Sequence, residues 1–215
     1  METKKLFQKN AHVLASNAEE VGSLERVVVD PATNVLSHIV VSKGSFLNKE
    51  DKLVPIELVA ETTPDQIVLS PEAGDPSDLP LFETRQLVDG PPKDQESSSS
   101  EDVPPVFLGY PVPGTSISPI SYELLFTHIV QNIPEGMVAM KEGAKVITAE
   151  GEHVGNVERV LADAEIDQVT HLLISRGLIT KVRKLIPIKW VTAIGEDKVH
   201  LRVEKNSVEK LAIAG

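Results

Sequence analysis

Few residues in this chain combine the types and spacing that chemistry needs, and most of those occur twice. His38 and His171 stand at the same place in two similar stretches. A histidine can ligate a metal or carry a proton, but no His or Cys stands at ligand spacing from either. Each falls in the middle of an extended run, so the expectation is a structural ring satisfied by backbone or a nearby carboxylate. Glu25-Arg26 and Glu158-Arg159 are also repeated. Neighbours on a strand point to opposite faces, so each should find a cross-strand partner on the surface. Asp30 and Asp163 close the same strand, where a turn-capping carboxylate belongs. Gly22/Gly155 and Gly44/Gly177 are isolated glycines in extended context, which predicts bends or bulges. No glycine-rich phosphate loop precedes a helix. The sequence therefore assigns no catalytic, cofactor-binding or metal-binding residue.

One group of residues is not repeated. Arg176, Lys181, Arg183, Lys184 and Lys189 crowd a short stretch beside Trp190. The matching stretch of the first copy is diluted by acids: Lys43, Lys49, Glu50, Asp51 and Lys52. The asymmetry marks these basic residues as a candidate surface for an acidic partner, the chain's own linker among the candidates, with a solvated loop as the plainer reading; Trp190 is expected at the core or barrel rim, with an interface anchor as the alternative.

The elements that position these residues follow from the repeat. Val21-Gly22-Ser23-Leu24-Glu25-Arg26-Val27 returns as Val154-Gly155-Asn156-Val157-Glu158-Arg159-Val160, an offset of 133. After one residue drops out in a loop, Lys52-Leu53-Val54-Pro55-Ile56 meets Lys184-Leu185-Ile186-Pro187-Ile188 at an offset of 132. Agreement in register over about 60 residues indicates a duplicated domain. Each copy reads as about six short strands with turns every 8–12 residues, a small antiparallel barrel or sandwich. The expected strands of the first copy lie at 5–14, 21–29, 35–43, 53–56, 58–61 and 66–70. Those of the second lie near 138–148, 153–163, 168–176, 184–188, 190–194 and 197–203, with a helical turn at 205–212.

Between the copies the composition changes. Ten of the fifteen prolines fall between Pro71 and Pro119. Residues 71–110 hold nine acids and two bases, so −7 of the total charge of −11. The centre, from Pro91 through Ser97–Ser100 to Glu101-Asp102, reads as a low-complexity acidic spacer. Its flanks, 79–88 and 122–133, hold enough apolar residues to dock. The second flank reads as extended rather than helical. The expected domains are a first barrel at 1–73, a linker at 74–133 and a second barrel at 134–215. The barrels themselves are nearly neutral, which argues against nucleic acid. There is no cysteine, no apolar core of signal-peptide length at the start, and no run of ~20 apolar residues. The expectation is a cytoplasmic protein with no transmembrane segment.

The repeated pattern resembles the PRC-barrel family. The residues that carry the resemblance are Gly143-Ala144-Lys145-Val146, the strand at 154–160, Val169 to Gly177, and Lys184 to Val191, with their counterparts in the first copy. It implies an all-β chain: two tandem PRC-type barrels joined by a long proline-rich acidic linker. Its relatives include the cytoplasmic domain of the photosynthetic reaction-centre H subunit and the C-terminal domain of the ribosome-maturation factor RimM. Such barrels serve as assembly modules. The expected role is therefore non-enzymatic: binding or scaffolding a protein partner, with packing of the two barrels on each other an added option and no cofactor. Two other readings remain open, a small-ligand or enzymatic site between the barrels and association with the ribosome.

Overall fold

In the computed structural model, residues 4–45, 48–89, 125–177 and 181–214 are described. The first half of the chain runs β1 (Lys4–Gln8), β2 (His12–Leu14), β3 (Glu20–Val29), β4 (Leu36–Ser45), β5 (Asn48–Pro55), β6 (Val59–Thr62) and β7 (Gln66–Leu69). Then come β8 (Glu83–Asp89) and β9 (Leu125–Gln131), which pair with each other as a two-stranded ribbon. The second half runs β10 (Val138–Lys141), β11 (Lys145–Ile147), β12 (His153–Asp163), β13 (Val169–Arg176), β14 (Val182–Pro187), β15 (Val191–Ile194), β16 (Lys198–Leu201) and the short helix α1 (Lys205–Glu209). The centre of the expected spacer, including Ser97–Ser100, lies outside the described residues.

Two seven-stranded sheets result. The first has the order β5-β4-β3-β2-β7-β6, and the second the order β14-β13-β12-β11-β16-β15. The seventh strand of each comes from the other half. β1 pairs antiparallel with β12, setting Phe7 opposite Val160 and Gln8 opposite Arg159. β10 pairs antiparallel with β3, setting Met140 opposite Val27 and Lys141 opposite Arg26. These registers coincide under the offset of 133, so the two copies have exchanged equivalent strands. The extended start expected at 5–14 thus breaks into β1, which serves the second sheet, and β2, which stays in the first. Its counterpart at 138–148 breaks likewise into β10 and β11.

The turns confirm a pseudo-two-fold relation. Leu36 donates its N–H to Asp167 O at 2.8 Å, and Val169 donates to Asn34 O at 2.8 Å. Val35 bridges Gln168 between them, so the axis passes through that pair. Asn34 and Asp167 both take the left-handed conformation, with φ of 61° and 51°, which short polar side chains tolerate. Asp30 caps its turn through Ala32 N–H at 2.8 Å, and Asp163 does so through Glu165 N–H at 2.9 Å. One continuous cluster of buried side chains spans both sheets, from Phe7, Val27, Leu36 and Ile39 to Met140, Val160, Leu172 and Ile186. Phe7 and Met140 reach it on the exchanged strands.

The expected closed antiparallel barrel needs correction on two counts. β2 pairs parallel with β7, and β11 parallel with β16, so each sheet is mixed. No ladder joins β5 to β6 or β14 to β15 among the described residues. Pro55 and Pro187 end β5 and β14 without an N–H to donate, and a single 3₁₀ turn follows each. The strand expected at 53–56 also starts earlier than its composition suggests. β5 already begins at Asn48, opposite Ser45.

Gly22 and Gly155 explain their own repetition. Both lie at φ near +155°, 154° and 156°, where L side chains are strained. A Cβ on Gly155 would stand 2.8 Å from Ser175 O, and one on Gly22 would stand 2.4 Å from Ser42 O. Those oxygens belong to backbone and cannot step aside cheaply. Gly155→Ala is therefore expected to destabilise the chain by about 2 kcal/mol or more, read from the midpoint of denaturant unfolding. A midpoint indistinguishable from that of the parent chain overturns this account.

Candidate functional site

Most of the repeated charged residues are engaged inside the fold. Glu158 accepts from Arg183 at 2.9 Å, and Glu25 pairs with Lys49 at 3.2 Å. Burial alone would raise the pKa of Glu158, but the Ser175 hydroxyl and the Arg183 guanidinium outweigh it and hold it below its ordinary value. Arg26 departs from the expected surface position. It is buried, pairs with Glu196, and lies over the Phe82 ring at 5.1 Å from the centroid. Arg159 instead bonds the side-chain oxygen of Gln8 through its Nε at 3.0 Å.

The two histidines differ from expectation. Nδ1 of His38 and Nδ1 of His171 are buried without a hydrogen-bond partner. Burial lowers both pKa values; Lys4 and Lys189 push His171 down further, while Glu57 pulls His38 back up. Each histidine sits opposite a proline, His38 against Pro55 and His171 against Pro187. No cluster of three or more His, Asp or Glu side chains able to hold a metal lies among the described residues.

The six residues of the basic stretch do not form one patch. In β14, alternation sends Val182, Lys184 and Ile186 to the inner face and Arg183 and Leu185 to the outer face. Arg176 and Lys181 are exposed at the hairpin end. Lys184 donates to Glu209 O at 2.5 Å and Leu211 O at 3.1 Å, tying down the end of α1. Lys189 and Trp190 lie in the 3₁₀ turn beyond the opposite end of β14. Lys189 is exposed, whereas Trp190 is half-buried and packs against the shared core.

The structure adds a pair of cavities at equivalent places. One of about 360 Å³ is lined by Val21, Lys43, Gly44 and Lys52. The other, of about 230 Å³, is lined by their counterparts Val154, Arg176, Gly177 and Lys184. Each lies between the hairpin end and the helical segment that follows the sheet. Lys52 donates to Ser77 O at 3.1 Å, the counterpart of the bond from Lys184 to Glu209. The linings differ in charge. In the first, Glu19, Glu50 and Asp75 face the two lysines. In the second, Val182 and Val208 replace Glu50 and Pro76, and Glu209 is the only acid among the described lining residues.

Sequence reasoning missed two further residues. Phe82 is fully buried on the outer face of the first sheet, among Val28, Val40, Leu53 and Ala139. Glu142 is 9% exposed, and neither carboxyl oxygen has a hydrogen-bond partner. Its counterpart in the first copy is Lys9. That substitution of a base by an acid at a matched position was the available signal.

Residues 9–75 match the family model of the PRC-barrel domain, and residues 140–209 match that of an uncharacterized protein conserved in bacteria (DUF2171). No curated protein matches the chain. No helix among the described residues is long and apolar enough to cross a membrane. The first match covers β2 through β7, and the second half repeats their order and register; the chain carries a PRC-barrel domain in residues 9–75.

Proposed function

We propose that this protein is a non-enzymatic binding module that holds an acidic segment of a protein partner at the hairpin end of its second sheet. The observation that carries the reading is the divergence of two otherwise equivalent cavities. The described lining of the first sets three acids against two lysines, and that of the second sets one acid, Glu209, against an arginine and a lysine. The second joins Arg176 and Lys184 to an apolar floor of Val154, Ile174, Val182 and Val208. Arg176 and Lys181 are exposed, and Lys181 is close enough to Glu158 to stabilise its carboxylate, so both present positive charge to an incoming acidic segment. Lys184 supports the floor from below by fixing α1. Fusion of two sheets through exchanged strands makes a rigid base for such a surface, which favours binding by lowering the ordering cost.

The test is capture with the full chain against a double variant, Arg176→Glu with Lys181→Glu. Both side chains are exposed, so the fold should survive. Partner recovery is expected to fall roughly tenfold, about 1.4 kcal/mol, and recovery with the parent chain should decline as salt rises. Equal recovery by parent and variant, or no partner above background, sinks the reading.

A further inference from the structure

The outer faces of the two sheets are built on the same plan, but among the described residues only the first carries an aromatic lid. On the first sheet, Ala139 lies opposite Val28, and Val40 opposite Leu53. Phe82 closes over these four, with Ile133 and Met137 beside it. It is carried by an extended segment that bonds the edge of β5: Phe82 N–H donates to Asp51 O at 2.8 Å, and Leu81 bridges Lys52. On the second sheet the same four places are Leu6 opposite Leu161 and Leu173 opposite Leu185. The segment after α1 bonds the edge of β14 in the same way. Ala214 N–H donates to Arg183 O at 2.9 Å, and Ile213 bridges Lys184.

Under the offset of 132, Ala214 is the counterpart of Phe82. The aromatic lid of one face is therefore an alanine on the other, and the position of Met137 is taken by Lys4. The leucines are bulkier than the residues they replace, but they form a layer and not a lid. Leu6, Leu161 and Leu185 remain partly exposed around Leu173, itself 6% exposed, whereas Val28 and Val40 are fully buried and Leu53 is 4% exposed. Arg159 holds the place of Arg26, whose guanidinium lies over Phe82 in the first sheet. On the second sheet the arginine is kept and Ala214 stands where the first sheet has the ring.

We infer that this face takes an aromatic side chain from an extended, acid-flanked segment of a partner protein, seated over Leu6, Leu161, Leu173 and Leu185 beside Arg159. The first sheet supplies the pattern for the occupant. Its lid reads Ser77-Asp78-Leu79-Pro80-Leu81-Phe82-Glu83, an apolar-aromatic run between carboxylates. The rim of the open face is suited to such flanks, because Lys4 and Lys189 lie close enough to act on the ring of His171. This face is separate from the hairpin end discussed above and stands without it.

The probe is a synthetic peptide of residues 77–84, titrated into the full chain by calorimetry and by amide shift mapping. Binding should shift Leu6, Leu161, Leu173 and Leu185. It should weaken roughly tenfold when the peptide carries Phe82→Ala and when the protein carries Ala214→Phe, which supplies the lid in cis. Leu161→Lys is the second variant and should give the same loss. Absence of binding at millimolar peptide, or affinity unchanged by both protein variants, overturns the inference. So does concentration-dependent dimerisation of the parent chain that Ala214→Phe abolishes, since the occupant is then a second copy.

Discussion

Cut into fragments 1–89 and 125–215, this protein is expected to yield no folded monomer from either piece, and to regain its fold when the two are mixed. The reason is the strand exchange. Fragment 125–215 lacks β1, so β12 loses the five-residue ladder from Lys4↔Asp163 to Gln8↔Arg159. It also loses Phe7, which is fully buried in the shared core. Truncating a buried Phe alone costs roughly 3–5 kcal/mol, and the 2.6 Å pair between Lys5 and Asp167 disappears with it. Set against a typical total stability of about 5–15 kcal/mol, that loss is decisive. Fragment 1–89 likewise lacks β10, and with it Met140 opposite Val27.

The first fragment has one way out, which the register predicts. Its own β1 matches β10 position for position, so two copies can exchange β1 strands about a true two-fold axis. Size-exclusion chromatography with light scattering should show fragment 1–89 as a dimer or as aggregate, and the mixture as a one-to-one complex. Far-ultraviolet circular dichroism should show a cooperative melt for the complex. A folded, monomeric fragment melting within a few degrees of the whole chain would falsify the coupling.

The repeat made the positions of most strands in each half legible, and with them the places of Gly22, Gly155, Asp30 and Asp163, but not the parallel pairs β2 with β7 and β11 with β16. The exchange of β1 and β10 was not legible, for a definite reason. Equivalent strands lie at the same offset, so pairing within a copy and pairing between copies align the same residues. Local pattern cannot separate the two; only the turns at Lys9–Ala11 and Lys141–Ala144 decide, by sending each strand across. The candidate site shows the same limit. Arg183 and Lys184 were grouped because they adjoin in sequence, yet a strand sends adjacent side chains to opposite faces. Phe82 and Ala214 were missed because similarity fades beyond Leu69 and Leu201, although backbone bonding keeps the correspondence to the end of each copy. That Nδ1 of His38 and of His171 is buried without a partner depends on tertiary packing, which no count of ligand spacings reports.

Replacing Glu142 by glutamine is expected to stabilise the protein at neutral pH and to leave it almost unchanged in mild acid. Glu142 lies in the turn after β10. Its burial pushes its pKa up to about 9 against the pull of the Lys9 ammonium, while Glu25 adds to the rise. In the unfolded chain the same carboxyl titrates near its ordinary 4.5. Between those values the folded chain holds a proton that the unfolded chain has released. Stability therefore falls as pH rises from about 4.5 to about 9, by up to roughly 1.4 kcal/mol per pH unit. Below the lower value both states are protonated and the group contributes no slope. At pH 7 the cost of keeping the carboxyl neutral amounts to about 3 kcal/mol. Glutamine is neutral throughout and has a similar shape, so it removes this cost without opening a cavity. His38 and His171, with lowered pKa values, act in the opposite sense: they lose stability as pH falls through the histidine range. Their contribution is common to both proteins and cancels in the difference. The measurement is urea unfolding of parent and Glu142→Gln at a series of pH values. The gap in stability should widen steadily from acid to neutral pH and level off in alkali. A gap that stays constant with pH, or one in which glutamine is the less stable throughout, means that Glu142 is ionised and solvated in the folded protein.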